Sequence, residues 1–158
     1  MYKLTSNNEK QTQKIGEFIG SHLKKGDILC LNGDLGAGKT TLTKSIAKAM
    51  DIEEYITSPS FTIVNEYHDG RLPLYHFDVY RINDIEELYE IGHEEYFYSD
   101  GVCIIEWANM IEELLPKNLL KLELHRTDNE SVREILIEET ERGQELIKGL
   151  KELEIIRD

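Results

Sequence analysis

The chain has 158 residues, 31 of them acidic and 18 basic, for a net charge of −13. That excess argues against direct, phosphate-driven binding to DNA or RNA, which needs a basic surface; it suits docking on a basic protein partner through opposite potentials, with simple solubility as the plain alternative. A hydrophobic fraction of 40% suits a single domain over 1–158 with one core. No apolar run approaches the ~20 residues of a bilayer span, and Met1–Ser6 lacks the apolar core of a signal peptide; a cytoplasmic protein is expected.

In chain order, Ser6-Asn7-Asn8 followed by Glu9 reads as a helix start, with a capping side chain and an acid in the first turn. Ile15, Phe18, Ile19 and Leu23 supply its buried face, and Lys24-Lys25-Gly26-Asp27 ends it. Residues near its start could face the base of a nucleotide, but no spelling marks them. The apolar run Ile28 to Leu31 then predicts a buried strand, and Leu42, Ile46 and Met50 stand at helical spacing.

Between that strand and helix, Gly33 to Thr40 is a full G-x-x-x-x-G-K-[ST] match, the phosphate-binding P-loop signature in its confirming context. Gly33, Gly36 and Gly38 let the backbone take positive φ and approach a ligand closely. Amides of Asp34, Leu35, Gly36, Ala37, Gly38, Lys39, Thr40 and Thr41 then form an anion nest at a helix N-terminus. Lys39 adds a charge for the β- and γ-phosphates, and Thr40 offers a hydroxyl to Mg²⁺. The cofactors implied are ATP and Mg²⁺; the plain alternative is a glycine-rich turn capping an ordinary helix.

Beyond the P-loop helix, Thr62 to Tyr67 and Leu72 to Val79 flank His68-Asp69-Gly70-Arg71, a hairpin signal. An antiparallel pair at this point makes the sheet mixed. Ile85 to Tyr96 is acidic and helical, broken by Gly92. Val102 to Glu106 reads as a central strand buried on both faces, and Met110 to Leu115 as a short helix stopped by Pro116. Leu119 to His125 and Val132 to Ile137 form a second hairpin through Thr127-Asp128-Asn129-Glu130. Glu141 to Ile156 is a terminal helix with Leu146, Leu150 and Leu153 on one side. Cys30 and Cys103 fall inside predicted strands without a C-x-x-C neighbour, so both read as small core hydrophobes rather than zinc ligands. The five histidines are scattered singly, and no H-E-x-x-H occurs.

A P-loop needs a carboxylate at a strand end to organise Mg²⁺ and the attacking water. Leu74 to Asp78 and Val102 to Glu106 both end mostly apolar runs on an acid. The second is the cleaner central strand, which makes Glu106 the metal-side acid and Asp78 the residue that orients or deprotonates water. An acid closing a strand at the surface is the plain alternative for each. Ser58-Pro59-Ser60 falls where a switch loop would pass, able to sense a γ-phosphate through its hydroxyls, or to serve as an ordinary Pro turn. Arg81 could neutralise charge on the transferring phosphoryl or make a surface ion pair. No Arg-rich lid is visible, so the site is expected to be slow by itself.

With these residues in view, the chain resembles the bacterial TsaE (formerly YjeE) ATPases. The resemblance rests on Gly33 to Thr41, on Ser58-Pro59-Ser60-Phe61 with Tyr67, and on His76-Phe77-Asp78-Val79-Tyr80-Arg81. Gly92 with Glu95-Tyr96 and Ile105-Glu106-Trp107 complete it, over about residues 27 to 116. One departure is Ser60, where the family usually has Thr; the hydroxyl is kept. The resemblance implies an α/β P-loop NTPase fold with a mixed sheet flanked by helices. It also implies an ATPase that acts with a two-subunit transferase of the TsaB/TsaD type making N6-threonylcarbamoyladenosine at position 37 of tRNA. Carried-over roles are Lys39 on the phosphates, Thr40 and Glu106 on Mg²⁺, and Asp78 as a residue needed for hydrolysis. The rival readings are a small-molecule P-loop kinase and a non-hydrolysing nucleotide switch.

Overall fold

The computed structural model describes residues 1–34, 36–59 and 61–153. Its strands are β1 (Tyr2–Ser6), β2 (Ile28–Gly33), β3 (Val64–Tyr67), β4 (Leu74–Asp78), β5 (Val102–Glu106), β6 (Leu120–Arg126) and β7 (Arg133–Ile137). The helices are α1 (Glu9–His22), α2 (Lys39–Ala49), α3 (Glu86–Glu90), α4 (His93–Phe97) and α5 (Glu141–Lys151). One sheet takes the strands in the order β1-β7-β6-β2-β5-β4-β3. β2 is parallel to both β5 and β6, and β4 is parallel to β5. The pairs β3–β4, β6–β7 and β1–β7 are antiparallel, so the sheet is mixed, as the two hairpin signals required.

Side chains alternate across the central strands and divide the core into two layers. Leu29, Leu31 and Ile104 pack with Ile15, Ile19, Leu42 and Ile46 of α1 and α2. Ile28, Cys30, Cys103 and Ile105 face the other way, against Leu88 of α3 and Phe97 of α4. Strands covered on both sides read as continuous apolar runs, which is why β2 and β5 were visible in the sequence. Both cysteines are buried core residues. Burial pushes each thiol up to about 12, and neither is a nucleophile at neutral pH.

α1 begins where Asn8 accepts a hydrogen bond from the Gln11 amide at 2.8 Å. At its other end Arg71, from the β3–β4 turn, donates to the Gly20 and Leu23 carbonyls at 2.5 and 2.9 Å. These carbonyls lack intrahelical partners, so the turn residue closes the helix end. α5 docks through Arg142, whose Nε and Nη2 bind the Asp27 carboxylate at 3.0 and 2.5 Å.

Three expectations change. β1, unread in the sequence, pairs Tyr2 to Ser6 with Ile137 to Arg133; only Leu4 and Ser6 of its five residues are buried, leaving too weak an alternation to notice. The expected short helix at Met110 to Leu115 is a 3₁₀ segment, Ala108–Leu114, kinked at Ile111 with φ −129°. The terminal helix ends at Lys151, with residues 154–158 of the expected span outside the described residues.

α1 lies close on α2 because Gly20 has no side chain: a Cβ there would stand 2.3 Å from the Ile46 carbonyl oxygen. Gly20→Ala should therefore cost about 1–3 kcal/mol through overpacking, measured by urea denaturation. An unchanged midpoint would show that the two helices can separate freely.

Candidate nucleotide site

The end of β2 and the start of α2 are joined by a loop that cannot be built from ordinary residues. Gly36 and Gly38 hold φ of 78° and 103°, in the left-handed region that a Cβ disfavours. The chain turns through them so that α2 begins at Lys39 with its N-terminal amides at the loop. Lys39 is itself buried, and its Nζ donates to the Gly33 and Asp34 carbonyls at 2.6 and 2.8 Å. The ammonium also lies 4.4 Å from the centre of the Trp107 ring. Burial lowers the Lys39 pKa, against the raising pull of Glu106, Asp78 and Asp34.

The loop opens on a cavity of about 470 Å³. Gly36, Gly38, Lys39, Thr40 and Thr41 line one side. Asp78 and Glu106, with Ser58, Arg81 and Trp107, line the other. The two acids stand side by side because β4 and β5 run parallel with Asp78 in register with Glu106. Glu106 is buried, whereas Asp78 is half-buried and accepts from the Tyr80 amide at 3.0 Å. The Ser58 hydroxyl reaches Asp78 at 3.4 Å. Asp34 contributes its carbonyl to Lys39, and Ala37 lines a neighbouring cavity. Leu35 and Ser60 lie outside the described residues.

That neighbouring cavity, about 380 Å³, wraps the outer flank of the loop at Gly36, Ala37 and Thr41. Glu9 and Thr12 from the start of α1 close it on one side, and Ser131 and Arg133 from the β6–β7 hairpin on the other.

Among the described residues, two of the four non-glycine residues at positive φ stand at this end of the sheet. Ile63 and Trp107 have φ of 70° and 61°, rare for non-glycine residues and more so for a β-branched one. Ile63 accepts from the Asp78 amide at 2.9 Å, and the Trp107 amide donates to Leu31 at 3.1 Å. Strain held beside the two acids is the pattern of a functional site.

A family model described as "Threonylcarbamoyl adenosine biosynthesis protein TsaE" matches residues 6–135. The chain belongs to the TsaE family. It is 48% identical to the tRNA threonylcarbamoyladenosine biosynthesis protein TsaE of Bacillus subtilis (strain 168) over 128 residues, 81% of this chain and 79% of that one. The TsaE of Treponema pallidum (strain Nichols) is 40% identical over 122 residues, 77% of this chain and 90% of its own. A crystal structure of Bacillus subtilis YdiB superposes with a TM-score of 0.80 at 40% identity, covering 95% of this chain and 93% of that one. The P-loop NTPase fold with a mixed sheet is thereby shown.

The TsaE match runs past Pro116, where the sequence motifs stop, into the β6–β7 hairpin. Two arginines there were missed. Arg133 donates through Nε to the Ala37 carbonyl at 3.0 Å. Arg126, its cross-strand partner, has Nη1 3.6 Å from where a Cβ on Gly36 would stand. His76, read in the sequence as part of a motif but given no role, is fully buried, and its Nε2 bonds Glu106 Oε2 at 2.5 Å. No local spelling announces these contacts, because each joins elements far apart in the chain.

Trp107 is the only tryptophan, and its ring touches both Lys39 and Tyr80, the latter at 4.6 Å between centroids. Adding ATP with Mg²⁺ should change its emission in a saturable way, and the same titration of Lys39→Ala should not. Calorimetric ATP binding with unmoved emission would contradict the placement of Trp107 at the site.

Proposed function

We propose that this chain is an ATPase of the N6-threonylcarbamoyladenosine pathway, slow alone and faster on a two-subunit transferase of the TsaB/TsaD type that modifies position 37 of tRNA. One observation carries the reading: a P-loop lysine and two strand-end carboxylates face a single cavity. Membership of a family named for threonylcarbamoyladenosine biosynthesis supplies the pathway. The net charge of −13 supports reaching tRNA only through protein partners, and a cytoplasmic location follows from the pathway.

The residues present fit the expected cofactors. Thr40, Asp78 and Glu106 offer hard oxygen donors on one cavity. Among the described residues no group of three His, Cys, Asp or Glu side chains could hold a metal unaided. Such a set suits Mg²⁺, which takes one or two carboxylates and fills its remaining positions with phosphate oxygens and water. When bound, the ion would neutralise charge on the β- and γ-phosphates.

The chain's own groups divide the work. The loop amides and the Lys39 ammonium bind the phosphates. The Thr40 hydroxyl and the Glu106 carboxylate hold the metal. Asp78, more exposed than Glu106 and on the neighbouring strand, orients the attacking water and takes its proton. Arg81, at the cavity rim with its guanidinium 5.3 Å from the Phe61 ring, meets charge developing on the phosphoryl group. The smaller cavity between α1 and the β6–β7 hairpin receives the nucleoside.

Phosphate release should be slow for the isolated protein and at least tenfold faster with both transferase subunits. Lys39→Ala should abolish it, and Glu106→Ala should lower it by about 100-fold, on the scale of losing one positioned charge. Fast turnover by Glu106→Ala would refute the metal role. ATP-dependent phosphorylation of a metabolite, without free phosphate, would favour a kinase.

A further inference from the structure

His76 stands outside the set of residues given a role above, yet its ring is hydrogen-bonded to Glu106. β4 and β5 are parallel with His76 in register with Ile104 and Asp78 with Glu106. Alternation then puts His76, Asp78, Ile104 and Glu106 on one face of the sheet. His76 is wholly inaccessible and Glu106 nearly so, at 0% and 3% exposure. Nε2 and Oε2 are 2.5 Å apart.

The other ring nitrogen identifies which one carries hydrogen. Among the described residues, His76 Nδ1 is the buried side-chain polar atom without a partner. A hydrogen on Nδ1 would be a buried donor with no acceptor, the costly way to leave a polar group unmatched. Moreover, a bare Nε2 would set its lone pair against those of a carboxylate oxygen. Hydrogen on Nε2 and none on Nδ1 satisfies both constraints.

We propose that His76 is a positioning residue for Glu106. Its Nε2–H donates to Oε2 and fixes the carboxylate rotamer, leaving Oε1 as the oxygen available to the cavity that Glu106 lines. Carboxylates that serve metals are commonly oriented by such outer partners, whose loss costs 10–100-fold in metal affinity or activity. This inference rests on the reading of Glu106 as the metal-side acid.

Two measurements test it. Long-range nitrogen–proton correlation spectra of the nucleotide-free protein should show His76 as the Nε2–H tautomer; the Nδ1–H form would overturn the proposal whatever the activity. Magnesium titrations of ATP hydrolysis should then show His76→Leu needing at least tenfold more Mg²⁺ for half-maximal rate. His76→Gln, whose amide nitrogen can replace Nε2–H, should stay within about threefold of wild type. ATP binding without magnesium, followed by Trp107 emission, should be alike in all three. A folded His76→Leu with the wild-type magnesium dependence overturns the role, even if its Tm falls. Should His76→Leu not fold, a His76→Gln variant that folds but needs tenfold more Mg²⁺ overturns it instead. If wild type itself shows no magnesium-dependent turnover, the functional reading fails, whereas the tautomer still reports on the hydrogen bond.

Discussion

The proposed function sets one electrostatic constraint: a chain of net charge −13 has to keep a small region attractive to polyphosphate. Backbone amides are suited to this because their partial charges are fixed by geometry and cannot titrate. Gly36 and Gly38, at positive φ, make the necessary path possible, and the start of α2 adds its own orphan amides. Lys39 adds a full charge from within the loop, with Arg81 at the rim of the same cavity. Desolvation works against that charge, and nearby Glu106, Asp78 and Asp34 work for it.

The sheet exists, from this viewpoint, to hold the loop and the acids in register. β2 sits between β5 and β6, so the P-loop emerges from the centre of the sheet at its carboxyl edge, where open α/β sheets bind ligands. β5 and β4 end at the same level and present Glu106 and Asp78 as neighbours. From the other side, β6 and β7 bring Arg133 to the Ala37 carbonyl, which ties the loop to a hairpin nearly a hundred residues away in the chain. The strained backbones of Ile63 and Trp107 persist because strand hydrogen bonds on either side hold them.

What could be read from residues alone follows the range of the interaction. The loop, the buried strands β2 and β5 and the strand-end acids are local patterns of glycine spacing and apolar runs, and all were legible. The Asn8 cap and the Gly92 break between α3 and α4 were legible for the same reason: each depends on a few adjacent residues. β1 was not, since a five-residue edge strand with lysine and two hydroxyl residues carries little period-2 signal. The 3₁₀ character of Ala108–Leu114 was hidden because helical spacing does not distinguish a tight helix from an α-helix over seven residues. His76 and Arg133 act through partners 30 and 96 positions away, and a lone histidine inside a strand gives no sign of what lies beside it.

Fold and family leave the nucleotide itself as the central claim. The most direct measurement is equilibrium titration of the folded protein with a fluorescent ATP analogue in the presence of Mg²⁺, alongside Lys39→Ala. Saturation at one analogue per chain, lost in the variant, is the predicted result. Absence of saturable uptake by the folded wild-type chain would contradict it.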